Sequence, residues 1–539
     1  MRLSILFLLL SGFFASANEY YWVAFHDKNN SPFSIESPSA FLSQRAIERR
    51  VRQGISISEQ DLPVNPDYVN QISQINGVSI RYSIKWMNAV SVSVPDDFDV
   101  SSIENLSFVK NVRHLAQYKK SPEPSFQNKN FELQEIQNLN YGAAYDQIAL
   151  INGMYLHEQN YLGQDLIIAV MDGGFSHVDN LAGFSDLRND NRIVDTWNFI
   201  DHDSNVYQYS THGTMVMSTM AGDIEGEYLG TAPAASYALY LTEDVSHETW
   251  VEEDNWIAAA ERADSLGADV CNTSLGYTEM DDPSQSHAYN ELDGNTLNIS
   301  IAADIAASKG MLMVNSAGNE GQSSWYYIGA PADGDSVLAI GACDVDGEIA
   351  PFSSRGPASD GDVKPNVTAP GWNVALFSEN GIFNGSGTSF AGPITSGMAT
   401  CLWQAFPDKS NMEIFRAIEE SAHLYTMPND DYGYGIPNFE QAFQLLQEED
   451  VTDVTSENGL NVFFLDELTI SIENEDLRGE TVLEVLSIDG KLIASHTLNM
   501  VNNTVYTFEL NQGIQLNSGV FLLRLYNEQT HIAKKFVKW

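Results

Sequence analysis

Cysteine is nearly absent from this chain. Of 539 residues three are cysteine, Cys271, Cys343 and Cys401. An odd, sparse set with no CxxC pair argues against a disulfide framework and a cysteine zinc site. Each lies in an apolar or strand-like stretch and reads as a buried, inert thiol. Positive charge is scarce too: 27 Lys and Arg stand against 73 Asp and Glu, a net charge of −46. Such a surface repels nucleic-acid phosphates and anionic membranes, so no nucleic-acid partner is expected. It suits an exported protein that stays in solution. Long apolar runs are also missing. No stretch beyond the N-terminus approaches the roughly 18 apolar residues of a spanning helix, and no membrane span is expected.

What is present is a 43% hydrophobic content, ample for real cores, in a chain long enough for roughly two to four domains. Arg2 precedes an apolar run from Ile5 to Phe14 that closes on Ala15-Ser16-Ala17. This is the pattern of a secretory signal peptide, 1–17, cut after Ala17. Residues 18–120 alternate strand-like and helical patterns and read as a small α+β module. It is basic (Arg45, Arg49, Arg50, Arg52, Lys119, Lys120), which predicts electrostatic docking on the acidic remainder. Residues 121–145 are a polar connecting segment, open to proteolytic separation. From 146 to 445 buried strands alternate with helices, the mark of an α/β domain with a doubly wound parallel sheet. Its functional residues belong at the carboxyl ends of strands, here Asp172, the Asn272–Gly276 turn and Asn315–Asn319. Residues 446–457 form an acidic linker. Residues 458–539 alternate with turns between them, which predicts an all-β sandwich with a basic end at Lys534, Lys535 and Lys538.

The most telling stretch is Asn384 to Pro393, NGSGTSFAGP. Ser389 stands at the start of a long apolar helix, where the dipole and free N–H groups favour negative charge. A serine there is also an ordinary helix cap, and the stretch alone does not choose between the two. A serine nucleophile needs a base, usually a histidine oriented by a carboxylate. His212 opens an apolar helix beside Gly213. Asp172 ends a buried strand before Gly173-Gly174, a costly place for an unpartnered carboxylate. Asn319, between Gly318 and Gly321, has an amide able to donate to an oxyanion. Each has a plain alternative: a helix-cap histidine, a strand-end aspartate, a turn asparagine.

Together, with Asn319 between the last two, the order Asp172, His212, Ser389 is one of the known triad orders. With the blocks VMDGGF, HGT, SLGY, NSAGNEG, FSSRGP, KPNVTAPG and GTSFAGP, residues 146–445 resemble the subtilisin-like serine proteases (subtilases, peptidase family S8). The resemblance implies a subtilisin-like fold and a secreted serine endopeptidase that acts on proteins or peptides through an acyl-enzyme. Asp172 would be the orienting acid, His212 the base, Ser389 the nucleophile and Asn319 the oxyanion donor. Ser274, Leu275 and Gly276, with Ser316, Ala317 and Gly318, would flank the substrate, and Gly329 would floor the pocket. Two departures stand out. Phe390 replaces the usual methionine, and Gly173 replaces a hydroxyl residue after the acid. Glu320 sits at the expected pocket rim, and a large apolar side chain is expected before the cut.

The leading module resembles the inhibitory propeptide of these zymogens. The last module resembles the sorting domain of Bacteroidetes-type (type IX) exported proteins, which implies secretion machinery as a partner and a secreted or cell-surface location. No cofactor is expected for the chemistry. Structural calcium is expected at Asp186, Asp190, Asp201 and Asp203, since an acidic loop supplies oxygen ligands. The alternatives are a catalytically silent surface-binding protein on the same fold, and an esterase or amidase using the same residues.

Overall fold

The structure, a computed structural model, describes residues 18–118, 141–453, 460–464, 468–472, 479–487, 491–500, 504–508, 519–527 and 531–538. The signal-peptide segment 1–17, Lys119, Lys120 and most of the connecting segment 121–145 lie outside them. The chain divides into two compact units after Leu446.

The first unit opens with the α+β module. Strands β1 (Asn18–Phe25), β2 (Ser79–Ile84), β3 (Ala89–Pro95) and β4 (Val109–Tyr118) form an antiparallel sheet in the order β2-β3-β1-β4. Helices α1 (Gln44–Arg52) and α2 (Pro66–Ser73) accompany it. Ser43 Oγ caps α1 by accepting from Ala46 N–H at 3.1 Å. Strand side chains alternate between faces. Val23, Phe25, Val90 and Val92 therefore build the module's own core with Ile72, while Trp22, Ala24, Trp86 and Leu115 join a core shared with the next domain.

That domain is built on β5 (Ile167–Asp172), β6 (Ile193–Asn198), β7 (Ser236–Leu241), β8 (Val270–Thr273), β9 (Leu312–Ser316), β10 (Val337–Cys343) and β11 (Val367–Pro370). All neighbours run parallel, in the order β11-β10-β9-β8-β5-β7-β6. Helices α3 (His212–Ala221), α4 (Trp250–Leu266), α5 (Asn298–Ser308) and α6 (Thr388–Ala405) flank it. Both faces are covered, as a parallel sheet requires. Ile168 and Val170 pack with Val216, Ile394 and Met398 on one side, and Ala169 and Met171 with Trp256 and Ala302 on the other. Two strands escape the sequence reading. β6 is an edge strand in the polar insertion after Asp172 and lacks a continuous apolar run. β11 is four residues long and ends at Pro370. The three cysteines are free and buried. Burial pushes their thiols up, Cys271 to about 12.

The basic module docks on α4. Arg49 and Arg50 of α1 both pair with Asp264, Arg50 at 2.9 Å. Arg50 also meets Asp61 at 2.8 Å, and Lys85 reaches Asp264 at 3.2 Å. Arg45 and Arg52 pair with Asp269. Glu261 accepts the backbone N–H groups of Lys85 and Trp86 at 2.8 and 2.7 Å.

A helix spans Phe439–Asp453, so the first part of the expected linker 446–457 is helical. Beyond that helix, the described residues of the second unit are in β-strands and the segments beside them. Leu460–Phe464, Leu468–Ile472 and Thr504–Phe508 form one antiparallel sheet, and Gly479–Ser487, Leu492–Met500, Gly519–Tyr526 and His531–Lys538 form another. Leu483, Val485 and Leu525 are buried.

Candidate active site

The carboxyl end of β5 carries Asp172, fully buried. Its Oδ1 accepts from Gly173 N–H at 2.8 Å. The remaining demand is met by His212, whose Nδ1 lies 2.8 Å from Oδ1 and 3.0 Å from Oδ2. His212 is the first residue of α3. The helix is drawn against the β5 turn by Gly213 N–H donating to Gly174 O at 3.0 Å. Only glycine fits at either position. A Cβ on Gly213 would lie 2.5 Å from Gly174 O, and one on Gly174, at φ +141, would lie 2.2 Å from Gln208 O. Burial pushes the His212 imidazole down, but the charge and hydrogen bond of Asp172 more than reverse this, so it is raised.

Ser389 is the second residue of α6, too early in the helix for its N–H to find a carbonyl one turn back. The residue is 8% exposed. Its Oγ donates to Ser274 O at 3.3 Å, and Ser274 Oγ donates to Ser389 O at 2.9 Å. No hydrogen bond joins Ser389 Oγ to His212 in this resting arrangement. Phe390 is buried beneath the site, its ring centroid 6.1 Å from that of His212. With Leu376 it packs over Gly385, where a Cβ would come 2.4 Å from Leu376 Cδ1 and 3.3 Å from the Phe390 ring.

Asn319 follows β9 on an exposed turn. Its Oδ1 accepts from Thr388 N–H at 2.9 Å and from Thr388 Oγ1 at 3.1 Å. The amide is thereby fixed with its NH₂ group turned from Thr388. A cavity of about 130 Å³ lies beside Ser389, lined by Ser274, Leu275, Gly276, Ser316, Gly318 and Gly329, with Thr278, Asn319 and Glu320 at its walls. Gly276 leaves it open: a Cβ there would meet nothing closer than Ala330 O at 3.8 Å. Ala317 does not line it. It is fully buried behind the wall, against Ile328, Ala332, Ala339 and Ala358. On the other side of Ser274 and Leu275 lies a cavity of about 580 Å³ that takes in Asp172 and His212.

Comparison with known proteins places this architecture. The family model of the subtilase family matches residues 163–435. The chain belongs to the subtilase family. It is a serine-type endopeptidase, a hydrolase. The chain is 30% identical to subtilisin E of Bacillus subtilis (strain 168) over 377 residues, 68% of this chain and 84% of that protein. It is 32% identical to a subtilisin of Bacillus pumilus over 305 residues, covering 55% and 98%. The crystal structure of the epidermin leader peptide processing serine protease of Staphylococcus aureus has the same fold, with a TM-score of 0.53 and 16% identity over 80% of this chain and 99% of that one. The subtilase domain is preceded by a peptidase S8 propeptide domain of the Bacteroidota type, 20–130, and followed by a secretion system C-terminal sorting domain, 465–539. The sorting domain indicates export. Among the described residues no helix is long and apolar enough to cross a membrane.

The four acidic residues expected to hold calcium are not gathered in this subtilase. Asp186 faces Asp223, and Asp190 pairs with Arg192 at 3.4 Å. Asp201 Oδ2 accepts from Asn198, Gln208 and Tyr209 at 3.0, 3.1 and 2.6 Å. Asp203 Oδ1 accepts from Asn205 N–H at 2.9 Å. An oxygen already serving three donors, with its neighbours turned elsewhere, does not fit a shared calcium site. Among the described residues the carboxylates whose oxygens lie within 4.8 Å of one another are Asp335, Asp360 and Asp362. Sequence reasoning also missed Thr388, which orients Asn319, and Asn272, whose buried amide links Ser396 Oγ (2.9 Å) to Ser274 Oγ (3.2 Å). The only early signal of Asn272 was its place at a strand end.

Proposed function

We propose that Ser389 is the nucleophile, His212 the general base and then acid, Asp172 the group that orients and charges His212, and Asn319 with the Ser389 N–H the oxyanion site. One observation carries this reading: a buried carboxylate holds His212 Nδ1 at 2.8 Å. That contact keeps the proton on Nδ1 and leaves Nε2 as the basic nitrogen in the cleft. When substrate enters, Ser389 Oγ turns from Ser274 O toward His212. It attacks the peptide carbonyl carbon as its proton passes to Nε2. The oxyanion faces the Asn319 amide and the Ser389 N–H, donors whose individual loss costs about 10²–10³ in rate. The C–N bond breaks, the amine leaves with the proton from His212, and an ester on Ser389 remains. Water repeats the sequence and releases the acid.

The leading module is then the enzyme's intramolecular inhibitor, the substrates are proteins or peptides, and the last domain hands the zymogen to secretion machinery for release or surface display. A serine-directed phosphonate should label Ser389 in the processed protein, and Ser389→Ala should abolish proteolysis. Full proteolysis by Ser389→Ala sinks the reading.

A further inference from the structure

Ser274 and Leu275 wall two cavities, one beside Ser389 and one that takes in His212. The wall of the larger facing His212 is acidic. Glu243, Asp244, Glu248 and Asp281 line it, and among the described residues no lysine or arginine does. Glu243 and Asp244 are 7% and 5% exposed. Glu243 Oε1 accepts from Thr242 Oγ1 at 2.8 Å and Tyr277 Oη at 2.6 Å, and Asp244 Oδ1 from Ser246 N–H at 3.2 Å. The second oxygen of each, and the Glu248 carboxylate, take no donor among the described residues. His247, on the same wall, pairs with the exposed Asp281 at 3.1 Å, and the buried Glu243 and Asp244 and the half-buried Glu248 have no lysine or arginine beside them in the lining. Burial first, opposed by hydrogen bonds and reinforced by neighbouring carboxylates, pushes Glu243 up to about 7; burial and those neighbours push Glu248 to about 8. A cation set among them supplies the missing partner and favours their charged form.

An extended peptide points successive side chains to opposite sides. With the residue before the cut in the small cavity, the second and fourth residues before the cut face the acidic one. We propose that this cavity selects lysine or arginine at those two positions. The inference rests on Ser389 being the nucleophile. Charge-assisted hydrogen bonds to partly buried carboxylates give the preference its strength.

The test uses the full chain, expressed and allowed to process itself, and peptides that carry Lys, Arg, citrulline, norleucine or Glu two and four residues before one cleavable bond. Lys and Arg peptides should show kcat/KM about tenfold or more above citrulline and norleucine, with Glu slowest. In Glu248→Gln and in Asp244→Asn the ratio of Arg to citrulline should shrink toward one, while turnover of the norleucine peptide reports that each variant is folded. Equal rates for Arg and citrulline, or a ratio unchanged in both variants, overturn the proposal. Failure to cleave any peptide, with no phosphonate label on Ser389, would instead remove the assignment on which it rests.

Discussion

Ser274 Oγ donates to the carbonyl oxygen of Ser389 at 2.9 Å, in the place that Pro393 leaves without an amide. In an α-helix the carbonyl of residue 389 would accept from the N–H of residue 393, and proline has none. The hydroxyl of one cleft wall thus completes the helix that carries the serine. Ser274→Ala should cost about 1–3 kcal/mol, the penalty of a buried acceptor left without a donor, and lower kcat more than it changes KM. Pro393→Ala restores an amide in register. In a double-mutant cycle read by melting temperature and kcat, it should recover part of the loss caused by Ser274→Ala. Strict additivity would show that the two groups do not share this carbonyl.

Thr388 and Asn319 separate positioning from chemistry. Asn319→Ala removes the amide donor and should lower kcat by about 10²–10³ with KM nearly unchanged. Thr388→Val keeps the backbone N–H bond to Asn319 Oδ1 but removes the hydroxyl that donates to Asn319 Oδ1 and accepts from Gly318 N–H at 3.3 Å. Its loss of kcat should be smaller, and it should shrink in the Asn319→Ala background to what the Gly318 contact alone contributes. Steady-state kinetics on one peptide substrate measures both.

The acid limb of the pH profile should report His212. Catalysis needs the neutral imidazole, and Asp172 raises this group despite its burial. The limb of kcat/KM should therefore lie above the ordinary histidine value of about 6.5. Asp172→Asn removes the charge, so the limb should move down while the rate falls by about 10⁴. A limb that stays in place in Asp172→Asn would assign it to another group.

The order of Asp172, His212, Asn319 and Ser389 is legible because each stands where a strand or helix pattern breaks against glycine, and the α/β alternation tells which ends share an edge. What the sequence hides depends on tertiary distance. Ala317 sits between two wall residues in sequence, yet its side chain turns into the apolar cluster behind them. Thr388 looks like part of a glycine-rich approach to the serine, and its role as a clamp on Asn319 exists only once β9 and α6 meet. β6 is half-exposed at the edge, so it never shows the apolar run that betrays β5. Glu243, Asp244 and Glu248 show no sequence signal of a site, and only the fold sets them in one cavity with His212. The four aspartates of the expected calcium loop show the converse: they are near in sequence, yet Asp190 and Asp201 have separate partners in the fold.

The leading module should leave more readily as pH rises. Asp254 and Glu261, on the α4 face it covers, are pushed up to about 7 by burial, against the pull of Arg113 on Asp254 and of Lys85 on Glu261. A carboxyl raised by docking contributes its full stabilisation below its exposed value of about 4. That contribution is lost as pH climbs through its docked value. Asp264 is held low by Lys85, Arg49 and Arg50 despite its burial, so what it contributes is present above the exposed value and flat across neutral pH. Lys28, pushed down to about 8 by burial, acts in the opposite sense only as pH passes that value. Between about pH 5 and pH 8 docking should therefore weaken. Hydrogen exchange in the full-length Ser389→Ala chain, corrected for intrinsic rates, should show protection of α1 and of Lys85–Trp86 falling by about tenfold or more over that range. Asp254→Asn with Glu261→Gln should flatten the profile. Asp264→Asn should instead lower protection at every pH, because it leaves Arg49 and Arg50 buried against a neutral group, a loss of about 3–5 kcal/mol. Equal protection at both ends of the range would mean that these carboxyls do not sense the docked module.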